Sequence, residues 1–289
     1  MKKLAKLFIF CVCALLNISC GSATEEQIDI VMESEKSDDI ITESFNIGKT
    51  EVNIDSVDKG ILTVNINSEK DIKIIVSGNN TEYIHEIGDL KEVSLPLQES
   101  GSYMITVMEN TNVENYIKIY EASLDIEIDN ELDPWLQSNM YCEWNTDTKA
   151  YSIASSFKDE DCTVVINKVF DYIVLNITYD TVLAENVKSG YIPDPDRTID
   201  KRSGICYDYA SLTAAMLRSN GIPCKIVVGY VGHDLYHAWN EVWIEGAGWV
   251  MVDWDMYRGW NRADLTFLAS GNSVDYIKND KNYRSLYYY

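Results

Sequence analysis

Positive charge is scarce in this chain: 24 Lys and Arg stand against 46 Asp and Glu, a formal net charge of −22 at pH 7. A nucleic-acid surface needs clustered basic side chains to meet the phosphates, so that class of partner is excluded. Proline and glycine are also few, 5 and 15 in 289 residues, which excludes collagen-like and low-complexity chains. The apolar run Leu7 to Leu16 near the start is too short to span a bilayer as a helix. Histidine occurs 3 times, at His85, His233 and His237, so every candidate imidazole base can be weighed by itself. What is plentiful is apolar residue, 46% of the chain with 24% charged, a globular balance. The length exceeds a typical domain of about 100–150 residues, so one large or two ordinary domains are expected.

The front end reads MKKLAKLFIFCVCALLNISC, with Lys2, Lys3 and Lys6 ahead of the apolar run and small or polar residues behind it. Residues 1–19 are expected to be an export signal. The stretch Ile18-Ser19-Cys20-Gly21-Ser22 resembles a bacterial lipoprotein box, in which Cys20 receives lipid after cleavage. Asn17 stands where such boxes usually carry Leu, and ordinary cleaved secretion is the alternative. Residues 20–47, acidic and polar with no sustained periodicity, read as a flexible tether. The expected location is the outer side of the cell membrane, lipid-anchored through Cys20.

Of 7 cysteines, Cys11 and Cys13 leave with the signal and Cys20 carries lipid, which leaves Cys142, Cys162, Cys206 and Cys224. Cys142 and Cys162 flank about twenty residues, and spacing alone leaves a bridge between them open. Cys224, in IPCKIVVGY, reads as a small buried residue.

Residues 48–131 repeat a period of two: Leu62, Val64, Ile66; Ile72, Ile74, Val76; Val93, Leu95, Leu97; Tyr103, Ile105, Val107; Leu124, Ile126, Ile128. Turn signals separate these half-buried strands, and the spacing predicts an all-β sandwich acting as a spacer or binding module. His85 is isolated there and reads as ordinary surface or packing. Residues 132–289 change character. Apolar residues at Val165, Ile166, Val169, Phe170 and Ile173 predict a helix over Cys162 to Ile173. A second helix is expected from near Gly204 to Asn220, stopped by Gly221. Strands follow at Cys224 to Tyr230, Tyr236 to Ile244 and Gly248 to Asp253, which makes this unit α+β.

Cys206 falls in the first turn of that second helix. Unpaired backbone N–H groups and the positive end of the helix dipole favour a thiolate there. A nucleophile also needs a base. His233 and His237 lie together in GHDLYHAWNEVW, and Asp253, on the next strand, can face His237 across the ladder. An acid behind an imidazole fixes its tautomer and supports its charge, completing a nucleophile, base and orienter set.

These residues resemble the transglutaminase-like domains of the papain-like cysteine superfamily. The motifs are Gly204-Ile205-Cys206-Tyr207-Asp208-Tyr209-Ala210, Tyr236-His237-Ala238-Trp239-Asn240-Glu241-Val242 and Gly248-Trp249-Val250-Met251-Val252-Asp253, in family order. The strongest part of the resemblance runs over about 162–256, the core of the unit at 132–289, and the sandwich with a lipoprotein front is similar to exported bacterial relatives. Family members often follow the acid with Pro or Thr, where this chain has Trp254 and Asp255. The resemblance implies a papain-like α+β fold and thiol acyl transfer by Cys206, His237 and Asp253. The substrate would be a protein or peptide at the cell envelope. Peptide or amide hydrolysis and protein cross-linking both remain open, and the alternative is a catalytically silent binding or adhesion module that retains the fold. The backbone N–H of Cys206, and a side chain such as Tyr179 or Tyr191, are candidate oxyanion donors.

No cofactor is implied, and no metal. Residues four apart on a strand lie roughly 13 Å apart, too far for His233 and His237 to share an ion. No EF-hand-type loop is present either. Trp239, two residues from His237 on the same strand face, is a candidate cleft wall. Asp208 reads as a capping or surface carboxylate in the first helical turn. The aromatic tail NYRSLYYY is expected to pack on the domain.

Overall fold

The computed structural model describes residues 44–47, 50–88, 90–112, 115–159, 161–232, 235–252 and 283–289. The export signal, Cys20, His233, Asp253, Trp254 and Asp255 lie outside the described residues.

The period-two stretches form strands. They are β1 (Ser44–Ile47), β2 (Thr50–Asn53), β3 (Ile61–Ile66), β4 (Ile72–Gly78), β5 (Thr81–Gly88), β6 (Glu92–Pro96), β7 (Gly101–Asn112) and β8 (Asn115–Ile126). Two four-stranded antiparallel sheets result, in the orders β1-β2-β3-β6 and β5-β4-β7-β8. Leu62, Val64 and Leu95 from one sheet and Ile74, Val76 and Ile105 from the other share one buried core. The last four residues of the segment read as a tether are β1, paired with β2.

β5 was not among the expected strands. Tyr83, His85 and Ile87 alternate inward along it, so His85, read as isolated, is 1% exposed.

The second unit mixes helix and sheet. Its helices are α1 (Lys149–Ala154), α2 (Cys162–Asn176), α3 (Thr181–Asn186), α4 (Pro195–Lys201) and α5 (Cys206–Arg218). The short strands β9 (Thr178–Tyr179) and β10 (Ser203–Gly204) pair in parallel. A four-stranded antiparallel sheet is ordered β13-β12-β11-β14, from β11 (Cys224–Val231), β12 (Leu235–Ile244), β13 (Gly248–Val252) and β14 (Tyr283–Tyr288). The aromatic tail is thus a strand.

α5 is the central helix, with Tyr209, Ala210, Leu212, Ala214, Met216 and Leu217 all buried. One face of the sheet lies under it. Cys224, Ile226, Val228, Ala238 and Val242 join the same core, whereas Val227, Val231 and Trp239 form a smaller cluster. Arg218, 1% exposed, fastens the far end of α5: its guanidinium donates to the carbonyls of Cys224 (2.8 Å), Gln137 (2.7 Å) and Tyr289 (2.7 Å).

The two units share their packing. His85 Nδ1 is 2.7 Å from the hydroxyl of Tyr141, and the ring of Tyr289 lies against Tyr83, His85, Tyr141 and Tyr207. The Met140 amide donates to the Ser94 carbonyl at 2.9 Å, and Ser189 Oγ donates to Glu86 at 2.9 Å.

Candidate functional site

The approach to Cys206 is built from the preceding residues. α4 ends on Arg202 in the left-handed conformation (φ 52°), and its carbonyl accepts the Thr178 amide at 2.9 Å. This starts the β9–β10 pairing, which sets Gly204 beside Tyr179. A Cβ at Gly204 would lie 2.6 Å from Cβ of Asp208, so only glycine lets the chain pass this close to the helix it is about to enter.

The N-cap of α5 is Ile205, whose side chain has no acceptor to offer. The cap comes from inside the helix instead. Asp208 Oδ2 accepts the Ile205 amide at 2.9 Å, the backward half of a capping box. Its other oxygen accepts the Tyr191 hydroxyl at 2.7 Å, and Arg197 Nη2 donates to that hydroxyl at 3.1 Å and to the Ile192 carbonyl at 2.9 Å. Arg197 Nη2 stands 4.0 Å from Asp208 Oδ1. Asp208 is 2% exposed, so it is a cap and not a surface carboxylate. Burial pushes its carboxyl above the ordinary value, against the opposing pull of the Ile205 amide, Tyr191 and Arg197.

Tyr191 therefore has its one hydroxyl hydrogen engaged by Asp208, and as placed it does not offer that hydrogen to an oxyanion. Tyr179 is half-buried at the β9–β10 junction, its ring 6.4 Å from Tyr209.

β12 carries the second motif. Asn240 faces α5 and donates from Nδ2 to the Ala210 carbonyl at 2.9 Å and to the Lys225 carbonyl at 3.1 Å, tying the sheet to the helix one turn past Cys206. At the strand's start, the phenol of Tyr236 is pushed up by partial burial, then by Tyr287, Tyr230 and Cys206. His237 follows, half-buried, opposite Gly229 of β11. A Cβ at Gly229 would meet the Arg284 carbonyl oxygen at 2.2 Å, so this glycine admits β14 alongside. The His237 ring lies 6.4 Å from that of Trp239 at an interplanar angle of 23°. Trp239 is fully buried and stands behind the histidine, packed on Tyr283 at 5.1 Å.

Asn240, three residues past His237, is thus bonded to α5 four residues past Cys206. The position of the acid, Asp253, directly follows β13, whose Val252 pairs with Asn240.

Cys142 and Cys224 differ from Cys206 in burial. All four described cysteines are free thiols; Cys142 and Cys224 are buried, Cys162 and Cys206 partly exposed. Burial pushes the Cys142 thiol up to about 11 and raises Cys224 further. Among the described residues no three His, Cys, Asp or Glu side chains converge as a metal site. A cavity of about 580 Å³ lies elsewhere, at the seam of the two units, lined by Trp135, Trp243, Trp249, Lys225 and Tyr288. Neither Cys206 nor His237 lines it.

Arg197, beside Asp208 and Tyr191, is not among the residues that the motifs single out. Asp194-Pro195, an N-cap acid followed by proline, was the signal for α4 and hence for Arg197.

Comparison with known proteins bears on this region. Residues 150–254 match the model of the transglutaminase-like superfamily, a span that includes Cys206, His237 and Asp253. A protein-glutamine gamma-glutamyltransferase of Pseudomonas aeruginosa is 39% identical over 71 residues, covering 20% of this chain and 11% of that protein. The UPF0252 protein of Archaeoglobus fulgidus is 29% identical over 119 residues, covering 36% of this chain and 38% of that protein. The chain thus spans well under half the length of these curated relatives. A solved structure from Cytophaga hutchinsonii, described as a candidate cysteine protease, aligns over 65% of this chain and 68% of that one. It has 19% identity and a TM-score of 0.37, a likeness on which nothing further rests. The likeness of residues 150–254 is therefore to the transglutaminase-like superfamily.

Proposed function

We propose that the chain is an exported thiol enzyme that transfers acyl groups from peptide or carboxamide substrates at the cell envelope. In this reading Cys206 is the nucleophile, His237 the base and Asp253 its orienting acid. The two-sheet unit is a β-sandwich that carries the catalytic unit away from a membrane anchored through Cys20. The observation that carries the reading is the start of α5, where a partly exposed cysteine sits in the first turn of a helix whose N-cap residue has no side-chain acceptor.

The chemistry follows from that placement. The Cys206 sulfur, its proton passed to His237, adds to the carbonyl carbon, and the carbonyl π electrons move to oxygen. First-turn N–H groups, that of Cys206 first, lie where this oxyanion forms. Collapse re-forms the carbonyl and breaks the C–N bond, while His237 returns the proton to the departing amine or ammonia. The thioester is then attacked by water, giving acid, or by a primary amine, giving a new amide. In either case His237 takes the proton of the attacking group and hands it to the Cys206 sulfur as it leaves.

The test is incubation of the full chain with a peptide library and a labelled primary amine, followed by mass spectrometry. Cleaved, deamidated or amine-linked products that vanish in Cys206→Ala support the enzyme. A wild-type chain that forms none of them, with a Cys206 that iodoacetamide labels no faster than a free thiol, supports a silent module instead.

A further inference from the structure

We infer that Asp208 is a positioning residue for acyl transfer: it fixes the Gly204–Ile205–Cys206 backbone from within the helix, leaving the first-turn N–H groups free for the substrate oxygen. The inference rests on the reading of Cys206 as nucleophile.

Three observations carry it. First, an ordinary N-cap oxygen bonds the N–H of the second or third helical residue. Here Ile205 cannot do so, and Asp208 instead takes the N–H of Ile205, outside the helix. Neither oxygen of Asp208 is spent on the amides of Cys206 or Tyr207, since the other accepts from Tyr191.

Second, the carboxylate is braced from three directions. The Ile205 amide lies at 2.9 Å, the Tyr191 hydroxyl at 2.7 Å and Arg197 Nη2 at 4.0 Å. The chain at Gly204 passes so close over it that an added Cβ there would stand 3.0 Å from Asp208 Oδ2. The peptide that bears the Cys206 N–H begins at Ile205, so anchoring the Ile205 amide sets the direction of the next one.

Third, the arrangement is unfavourable for a group that only holds the helix together. A carboxyl at 2% exposure is pushed up by burial, so keeping it ionised costs stability. The sign is that of a raised acid: its contribution to stability is full below the unfolded value and declines as pH rises through the folded one.

The experiment separates two chemistries of the same sulfur. Acyl transfer passes through an oxyanion, whereas alkylation by iodoacetamide forms none. On the full chain, with a glutaminyl peptide and a fluorescent primary amine, Asp208→Asn is expected to lower kcat about tenfold or more, because small misplacements at a reacting centre are costly. KM should stay within about twofold, and so should the rate at which iodoacetamide labels Cys206. Tyr191→Phe, which keeps the carboxylate and frees one oxygen, should lower kcat less, again with labelling unchanged. Should Asp208→Asn fail to fold, Tyr191→Phe decides by the same split. Full turnover in both variants overturns the inference, as does a parallel fall of turnover and labelling, which is what a merely structural role gives. A wild-type chain inactive on acyl substrates overturns the enzymatic reading, and the inference with it.

Discussion

α1, α2, α3 and α4 open in one way and α5 in another. Thr148, Asp161, Asp180 and Asp194 are N-cap residues whose side chains accept the amides of Tyr151 (3.3 Å), Thr163 (2.9 Å), Leu183 (2.8 Å) and Arg197 (2.9 Å). Each satisfies a donor that the first turn leaves without an intrahelical partner. At α5 the N-cap is Ile205, 5% exposed, and the carboxylate that serves the helix reaches backward. The four conventional starts are finished structures. At the fifth, Asp208 holds the Ile205 amide from inside the helix, with Tyr191 and Arg197 behind it.

That contrast is broken most severely at the thiol. Cys206→Ala should abolish product formation in the mass-spectrometric assay while the melting temperature moves by only a few degrees, since the side chain is partly exposed. Next in size, Ile205→Thr would give α5 the acceptor that its neighbours have. A hydroxyl there takes up the N–H of Tyr207 or Asp208 and leaves that of Cys206, so kcat should drop about tenfold, less than the roughly hundredfold or more that removing an oxyanion donor outright costs. Thermal stability, measured in parallel, should change little, because the new cap offsets lost apolar burial.

His85 extends the comparison to buried groups that titrate. Asp208 has several partners; His85 has the Tyr141 hydroxyl at one nitrogen, and the other has none among the described residues. Burial lowers its pKa to about 3 from 6.5. The unfolded chain therefore binds a proton below pH 6.5 that the folded one refuses until about pH 3, so stability is full above that window and falls through it on acidification. The slope should approach 1.4 kcal/mol per pH unit, on the order of one proton, and be reduced in His85→Phe, as measured by urea unfolding at stepped pH. Smallest is the conventional cap. Thr148→Ala should cost about 1 kcal/mol and leave kcat unchanged, checked by the same unfolding curves and by turnover.

Much of the architecture was legible because apolar periodicity is a local signal. β3, β4, β6, β7 and β12, and the body of α2 and α5, fall where alternation or a helical period puts them. β5 escaped because a histidine occupies one of its inward positions, and β14 because YRSLYY is aromatic on both faces and alternates poorly. Cys206 and His237 stand out in the sequence through their motifs, and the structure puts them at the start of α5 and on β12. The burial of Asp208 was not: its partners Tyr191 and Arg197 come from the segment before α5, and only the fold brings them under the helix. The same holds for His85 and Tyr141, which meet across the seam of the two units.

That seam sets how the molecule should come apart. Tyr289 packs on rings from both units, Met140 and Ser189 hydrogen-bond across, and the cores are continuous. The energetic coupling this implies joins the described parts of the two units into one cooperative block. Calorimetry of the intact chain should give one melting transition, and either half expressed alone should present the tyrosines of the seam to water as a sticky face.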